Sequence, residues 1–373
     1  MTSHPAKSAE FTRRVQDFAL AHVMPRRTEL ISAKIFPDDL WQQFAASGLA
    51  GLSVPEEFGG ANASFETLSA AGRNLNRYGG VPGVTLVFQS HWLMSKLHIV
   101  GDARRAMKNQ LLPLLARGTT TLSVAISEPG AGAHPKHLKT AARREGEHFI
   151  IDGEKAFLTN GPIADHFIVL AVTGETDGRK AFSAILVPAD SDGFQRTAGV
   201  EIDFLHPSPH GGIALTACRV PVSNLIGEEG AAFERTSLRM RVFEDAVGAA
   251  AHVGAMACLL ADIAALASSD MAGDIGVVAT QLRALDVTAE RLAAMVDHDD
   301  YQAIMELQLG FRLQSGHCMT ALERLLQKSR GPYTSMTTLL ARDVGKLHTI
   351  AQAAHTARTA KIGLALLKDQ SGI

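Results

Sequence analysis

The sequence predicts an α+β chain in three parts: an N-terminal helical domain (1–117), a small central β-barrel-like domain (118–228) and a C-terminal four-helix bundle (229–373). Three observations carry this. Through FTRRVQDFALAHVM and DDLWQQFAASGLAGL apolar residues recur at helical spacing, broken at Pro25, Pro55 and Gly59-Gly60. From Thr119 the pattern changes to short runs rich in valine, isoleucine and phenylalanine, separated by Gly, Asp and Pro. After Glu228 the helical period returns in long alanine- and leucine-rich segments and persists to the end.

Length and charge bound the function. A chain of 373 residues fits two or three domains at roughly 150 residues each. Lys and Arg total 36 against 38 for Asp and Glu, a formal net charge of -2. No basic field is there to hold a polyanion, so nucleic acid is excluded as the expected partner. The start, MTSHPAKSAEFTRRV, lacks the apolar core of a secretory signal, and three scattered cysteines make no disulfide framework; the expectation is a cytoplasmic protein. The one stretch resembling a membrane span, AVGAAAHVGAMACLLADIAALA, is mostly Ala and Gly and is interrupted by His252 and Asp262. It reads as a buried bundle helix, with no membrane partner.

The central runs TLSVAIS, HFIIDGEKAFL, HFIVLAVT, FSAILVP and GIALTACRVP read as strands. Between the first two lies AISEPGAGAHPKHLKT, where Pro129 and Gly130 force a sharp turn after Ser127 and Glu128. Taken alone, Ser127 reads as a turn cap and Phe157 as a core aromatic.

Helices, a β insert and helices again, with four motifs in order, make the chain resemble an acyl-CoA dehydrogenase. FPDDLWQQFAASGLAGLSVPEEFGG resembles the family's N-terminal helix pair and its VPEE-aromatic-GG turn. SEPGAG resembles the TEPxAGSD loop, EKAFLTN the GxK-x-W-I-T-N core, and CRVPVSNLIGEEGAAFE the family's exit from the β domain. The resemblance implies FAD as cofactor, an acyl-CoA thioester as substrate, oxidation across its α and β carbons, an electron-transfer flavoprotein as electron partner, and an oligomer. It carries the flavin-lining role onto Ser127, Phe157 and Thr159, and an arginine near the active site onto Arg239, nine residues before Gly248.

Several positions depart from the family. Ala133 and His134 stand where it has serine and aspartate. Leu238, before Arg239, removes the acidic residue of the subgroup that carries its base on this helix. Matching Arg342, Asp343 and Lys346 to the RD-x-K-I stretch puts Gln352 at the position of the commoner glutamate base, and an amide takes no proton at neutral pH. No acidic residue follows Asp343 until Asp369. LASSDMAGDIG lacks the arginine and phenylalanine that reach a neighbouring subunit's FAD, and RGPYTS is a reduced form of the GGxG segment.

Other constellations are weak. HPKH and HPSPH contain prolines and have no acid or cysteine at ligand spacing, so no metal is expected and these histidines read as surface residues. His348 and His355 are expected on one helix face. Glycines do not fall between a strand and a helix in βαβ order, which removes a Rossmann site. Three readings stay open: a dehydrogenase with an unrecognised base, a non-catalytic subunit of a homo- or hetero-oligomer with a catalytic paralogue, and a flavin-dependent monooxygenase.

Overall fold

The computed structural model describes residues 5–329, 335–350 and 352–370. Six helices form the first part: α1 (Pro5–Phe18), α2 (Arg27–Leu30), α3 (Asp38–Ala46), α4 (Phe65–Gly79), α5 (Pro82–Met94) and α6 (Arg105–Ala116). Local chemistry fixes their ends. The Ser64 side chain accepts from the Thr67 N–H at the start of α4, and Pro82 opens α5 where a missing N–H costs nothing. An aromatic nest holds the layer together: Phe44 and Phe88 stack with centroids 3.7 Å apart, and the buried Trp92 indole donates to the Leu49 carbonyl at 2.7 Å.

The middle is one mixed sheet of β1 (Leu122–Ala125), β2 (Ala141–Glu145), β3 (His148–Thr159), β4 (His166–Thr176), β5 (Arg179–Pro188), β6 (Phe194–Thr197), β7 (His210–Pro221) and β8 (Leu225–Ile226). The order is β6-β7-β3-β2-β4-β5-β8, with β1 parallel to β4. Phe149, Ile151, Phe167, Val169, Ile185, Ile213 and Val220 form its own core. The expected barrel stays open: the sheet ends on β6 and β8, and no pairing joins them among the described residues. Two irregularities interrupt the β3–β7 ladder, one of them between Lys155 and Leu158. That bulge turns Phe157 out of the pleat.

The last part is α7 (Met240–Ala264), entered through a π-helical turn at Glu234–Arg239, then α8 (Ala272–Asp297), α9 (Tyr301–Lys328), α10 (Ser335–Thr349) and α11 (Gln352–Gln370). Helices α7 to α10 pack on one another, with α7 also against α4 and α5. Helix α7, with its π-helical lead-in, is the one segment among the described residues long and apolar enough to cross a bilayer, and most of it is buried inside the protein. Its small residues allow that close packing. A bidentate ion pair, Arg27 to Asp262 at 2.9 and 2.6 Å, ties the first part to α7.

One stripe of α7 escapes burial. Between Met240 and Val253 only Arg241, Glu244, Asp245, Gly248 and His252 are exposed or half-buried, and their spacing of three and four puts them on one face.

Candidate functional site

The turn that follows β1 is held from beneath by a buried ion pair. Glu128, 5% exposed, accepts from the Lys139 N–H at 2.7 Å and the Thr140 N–H at 2.8 Å, and faces the Lys155 ammonium at 3.0 Å. Lys155, 1% exposed, also donates to the Ile126 carbonyl at 3.0 Å. Burial opposes ionisation of Glu128, but Lys155 and the Thr140 and Lys139 donors outweigh it and hold the carboxyl below its ordinary range. Burial pushes Lys155 down to about 8, with Glu128 resisting. The glutamate beside Ser127 is therefore a loop anchor.

What the anchor positions is next door. The Ala156 N–H donates to the Ser127 carbonyl at 2.9 Å, which ties the turn to the β3 bulge. The Ser127 side chain is half-buried and caps no turn among the described residues. Phe157 is 47% exposed at φ +61°, a left-handed backbone that a bulky side chain adopts only when its surroundings impose it. It is thus an outward-facing aromatic rather than a core residue. The Thr159 hydroxyl is 3.2 Å from His210 Nε2, while His210 Nδ1 is 3.1 Å from the Ser208 carbonyl. The Nδ1–H donates to that carbonyl, so Nε2 accepts, and the Thr159 hydroxyl gives its proton to His210 and keeps its lone pairs free. His210 is half-buried and holds a site residue, unlike the surface reading of HPSPH; His134 and His137 of HPKH are exposed. Among the described residues no three His, Cys, Asp or Glu gather as for a metal.

A second cluster lines the α7 stripe. Burial, and then the neighbouring Asp245 carboxylate, push the Glu244 carboxyl up to about 7. Asp245 is raised by burial, against Arg312, Arg241 and Arg358. The His252 ring, on the stripe, lies 6.3 Å from the His348 ring of α10. Arg312 Nη2 donates to the His348 and Ile350 carbonyls at 2.8 and 2.7 Å, fastening the turn between α10 and α11. Gln352, exposed, begins α11 directly after that turn. His355 follows three residues on, on the same face, and Arg241 of α7 is among the charges that bear on it. His348 and His355 therefore sit on two helices, not one face of a single helix, because α10 ends at Thr349 and α11 begins at Gln352.

Arg239 lies apart from this cluster, ion-paired with Asp299 and with its guanidinium 5.2 Å from the Phe243 ring. Leu238 takes the acidic residue away from the position before Arg239, but Glu244, five residues beyond Arg239, puts a carboxyl on this helix after all. The signal was legible: an acidic pair, ED, inside the apolar run VFEDAVGAAA. LASSDMAGDIG spans the start of α8, and all of RGPYTS except Ser335 lies outside the described residues.

A helical layer, a central sheet with an outward aromatic at a bulge, and a helical bundle with a polar stripe together define an acyl-CoA dehydrogenase-type chain. Residues 5–119 match the family model described as acyl-CoA dehydrogenase, N-terminal domain, and residues 123–203 that of the middle domain, together more than half of the chain. The chain belongs to the acyl-CoA dehydrogenase family. It is similar to a 3-(aryl)acrylate reductase of Clostridium sporogenes, 30% identical over 57% of this chain and 56% of that protein. Its fold matches the butyryl-CoA dehydrogenase of Megasphaera elsdenii with a TM-score of 0.84 at 20% identity, covering 98% of this chain and 100% of that one. It also matches an FAD complex of PigA, with a TM-score of 0.83 at 21% identity, covering 98% and 99%. In sequence, the matched region spans only 56 to 60% of the length of the first curated relatives.

Proposed function

We propose that the protein is an FAD-dependent acyl-CoA dehydrogenase whose base is Glu244. The observation that carries this is the α7 stripe: a carboxyl brought to about 7 on the one accessible face of a buried helix. A base poised near the working pH is what abstraction of a weakly acidic α proton calls for.

The residues at the sheet fit a flavin. Phe157 offers a flat aromatic face open on one side, Ser127 a hydroxyl free to donate, and Thr159 a hydroxyl left as acceptor by His210. These three would hold the isoalloxazine ring. FAD, when bound, supplies the acceptor for the β hydride. Glu244 takes the α proton onto its carboxylate oxygen, and the Glu128–Lys155 anchor keeps Ser127 and the bulge in register. Electrons leave through an electron-transfer flavoprotein, in keeping with the family. Exposed apolar residues on the bundle, Val277, Val287, Leu313, Leu364 and Leu366, fit an oligomeric surface. The three cysteines are free and buried, which fits a reducing compartment, and we place the protein in the cytoplasm.

A second reading, a non-catalytic subunit, is favoured by Gln352 at the commoner base position and by the missing arginine and phenylalanine at 266–276. The pH profile separates the two. With an acyl-CoA and an artificial electron acceptor, kcat/KM should rise with pH through about 7 as Glu244 loses its proton. A flat profile through that range rejects Glu244 as the base, and no turnover by FAD-loaded protein favours the second reading.

A further inference from the structure

The slot between α7 and the α10–α11 turn carries more polar groups than an aliphatic acyl chain needs. Gly248 sits in the middle of the α7 stripe, and a Cβ built on it would meet no atom within 4 Å, so the face between Glu244 and His252 borders open space. Two histidines of this cluster have ring nitrogens that are screened from solvent yet have no partner among the described residues: Nε2 of His252, and both Nδ1 and Nε2 of His355. A buried imidazole without partners forfeits hydrogen bonds it would have in water. A ligand atom restores them.

The charges tell which kind of ligand. Arg312 spends Nη2 on two backbone carbonyls, which leaves Nε and Nη1 without a partner among the described residues. Half-buried Arg358 has no ion-pair partner among them either. After burial, the strongest influences on His355 are Arg312, Arg358, Arg241 and His348, and Asp245 sits among the same three arginines. Asp245 faces the slot from α7 and offsets one of the three arginines, and Glu244 is the proposed base. Excess positive charge around an unsatisfied imidazole is a receptor for an anion. Arginine in particular matches a carboxylate in a two-pronged bond.

We propose that this slot receives a carboxylate at the far end of the acyl chain, so that the substrate is the CoA thioester of a dicarboxylic acid. The inference rests on the acyl-thioester reading above and names the substrate class of that same site. His355 and Arg358 supply the donors, and Arg312 holds the turn that carries them.

Glutaryl-CoA and pentanoyl-CoA have the same number of carbons and differ only in a terminal carboxylate against a methyl. Binding of each to the FAD-loaded protein is measured by calorimetry. Two charge-assisted hydrogen bonds predict that glutaryl-CoA binds roughly ten- to a hundredfold tighter. In Arg358→Gln, and separately in His355→Leu, the preference should fall towards unity; the second variant keeps the test open where the first does not fold. Equal or tighter binding of pentanoyl-CoA by the unaltered protein overturns the inference and leaves the thioester reading standing. So does a preference that survives in both variants. Binding of neither thioester overturns both.

Discussion

Removing Glu128 tests how the turn at Ser127 is held. Glu128→Ala takes away the acceptor for two backbone N–H groups, at 2.7 and 2.8 Å, and strands an ammonium that is 1% exposed with only the Ile126 carbonyl left to it. Breaking one side of a buried pair costs about 3–5 kcal/mol, because the partner charge remains buried and uncompensated. Lys155→Met is milder: Glu128 keeps both N–H donors, and a side chain of similar length fills the space, for a cost of about 1–3 kcal/mol. The double variant should lose less than the sum, with a coupling of at least about 1 kcal/mol. Urea denaturation measures the three stabilities, and hydrogen exchange of the Lys139 and Thr140 amides reports the loop directly. Glu128→Ala costing under about 1 kcal/mol, with both amides still protected, would refute the anchor.

The three-part fold was legible because helical and strand periodicities differ and the chain changes from one to the other near Thr119 and Glu228. The turn after Ser127 was legible from Pro129 and Gly130. Its anchor was half legible: Glu128 stood out, but its partner Lys155 lies 27 residues on and meets it only through the sheet. Phe157 read alone as core, because a bulge and a left-handed backbone leave no mark on a hydrophobic residue's identity. The slot was the least visible, since Glu244, Arg312 and His355 come from three helices far apart in sequence. Matching short motifs led instead to Arg239, which pairs with Asp299.

Further outcomes follow from single contacts. Ser127→Ala removes one hydrogen bond to the cofactor and should weaken FAD binding about fivefold by titration, an effect of order 1 kcal/mol; unchanged affinity and spectrum would place the hydroxyl away from the ring. Burial pushes His91 and His98, both essentially unexposed, down to about 4. The unfolded chain binds protons there from about 6.5 downward while the folded one does not, so stability is lost as pH falls from about 6.5 to 4, by about 3 kcal/mol per histidine. His98→Leu should flatten the pH dependence of the denaturation midpoint, and an unaltered slope assigns the acid sensitivity elsewhere. In a Glu244→Gln background, Gln352→Glu returns a carboxylate from the α10–α11 turn, and turnover should recover at least about tenfold; no recovery in a variant that still binds FAD and thioester would count against the match through Arg342 and Lys346.

In the proposed function, Glu244 removes a proton from an acyl thioester held against an FAD at Ser127 and Phe157. Its most direct test is anaerobic mixing of the FAD-loaded protein with glutaryl-CoA, following the loss of the oxidised-flavin absorbance band. The unaltered protein should bleach, and Glu244→Gln, at matched FAD content and with thioester bound, should bleach about 100- to 10,000-fold more slowly. Equal rates in the two proteins, or an unaltered protein that binds both FAD and thioester and never bleaches, would contradict it.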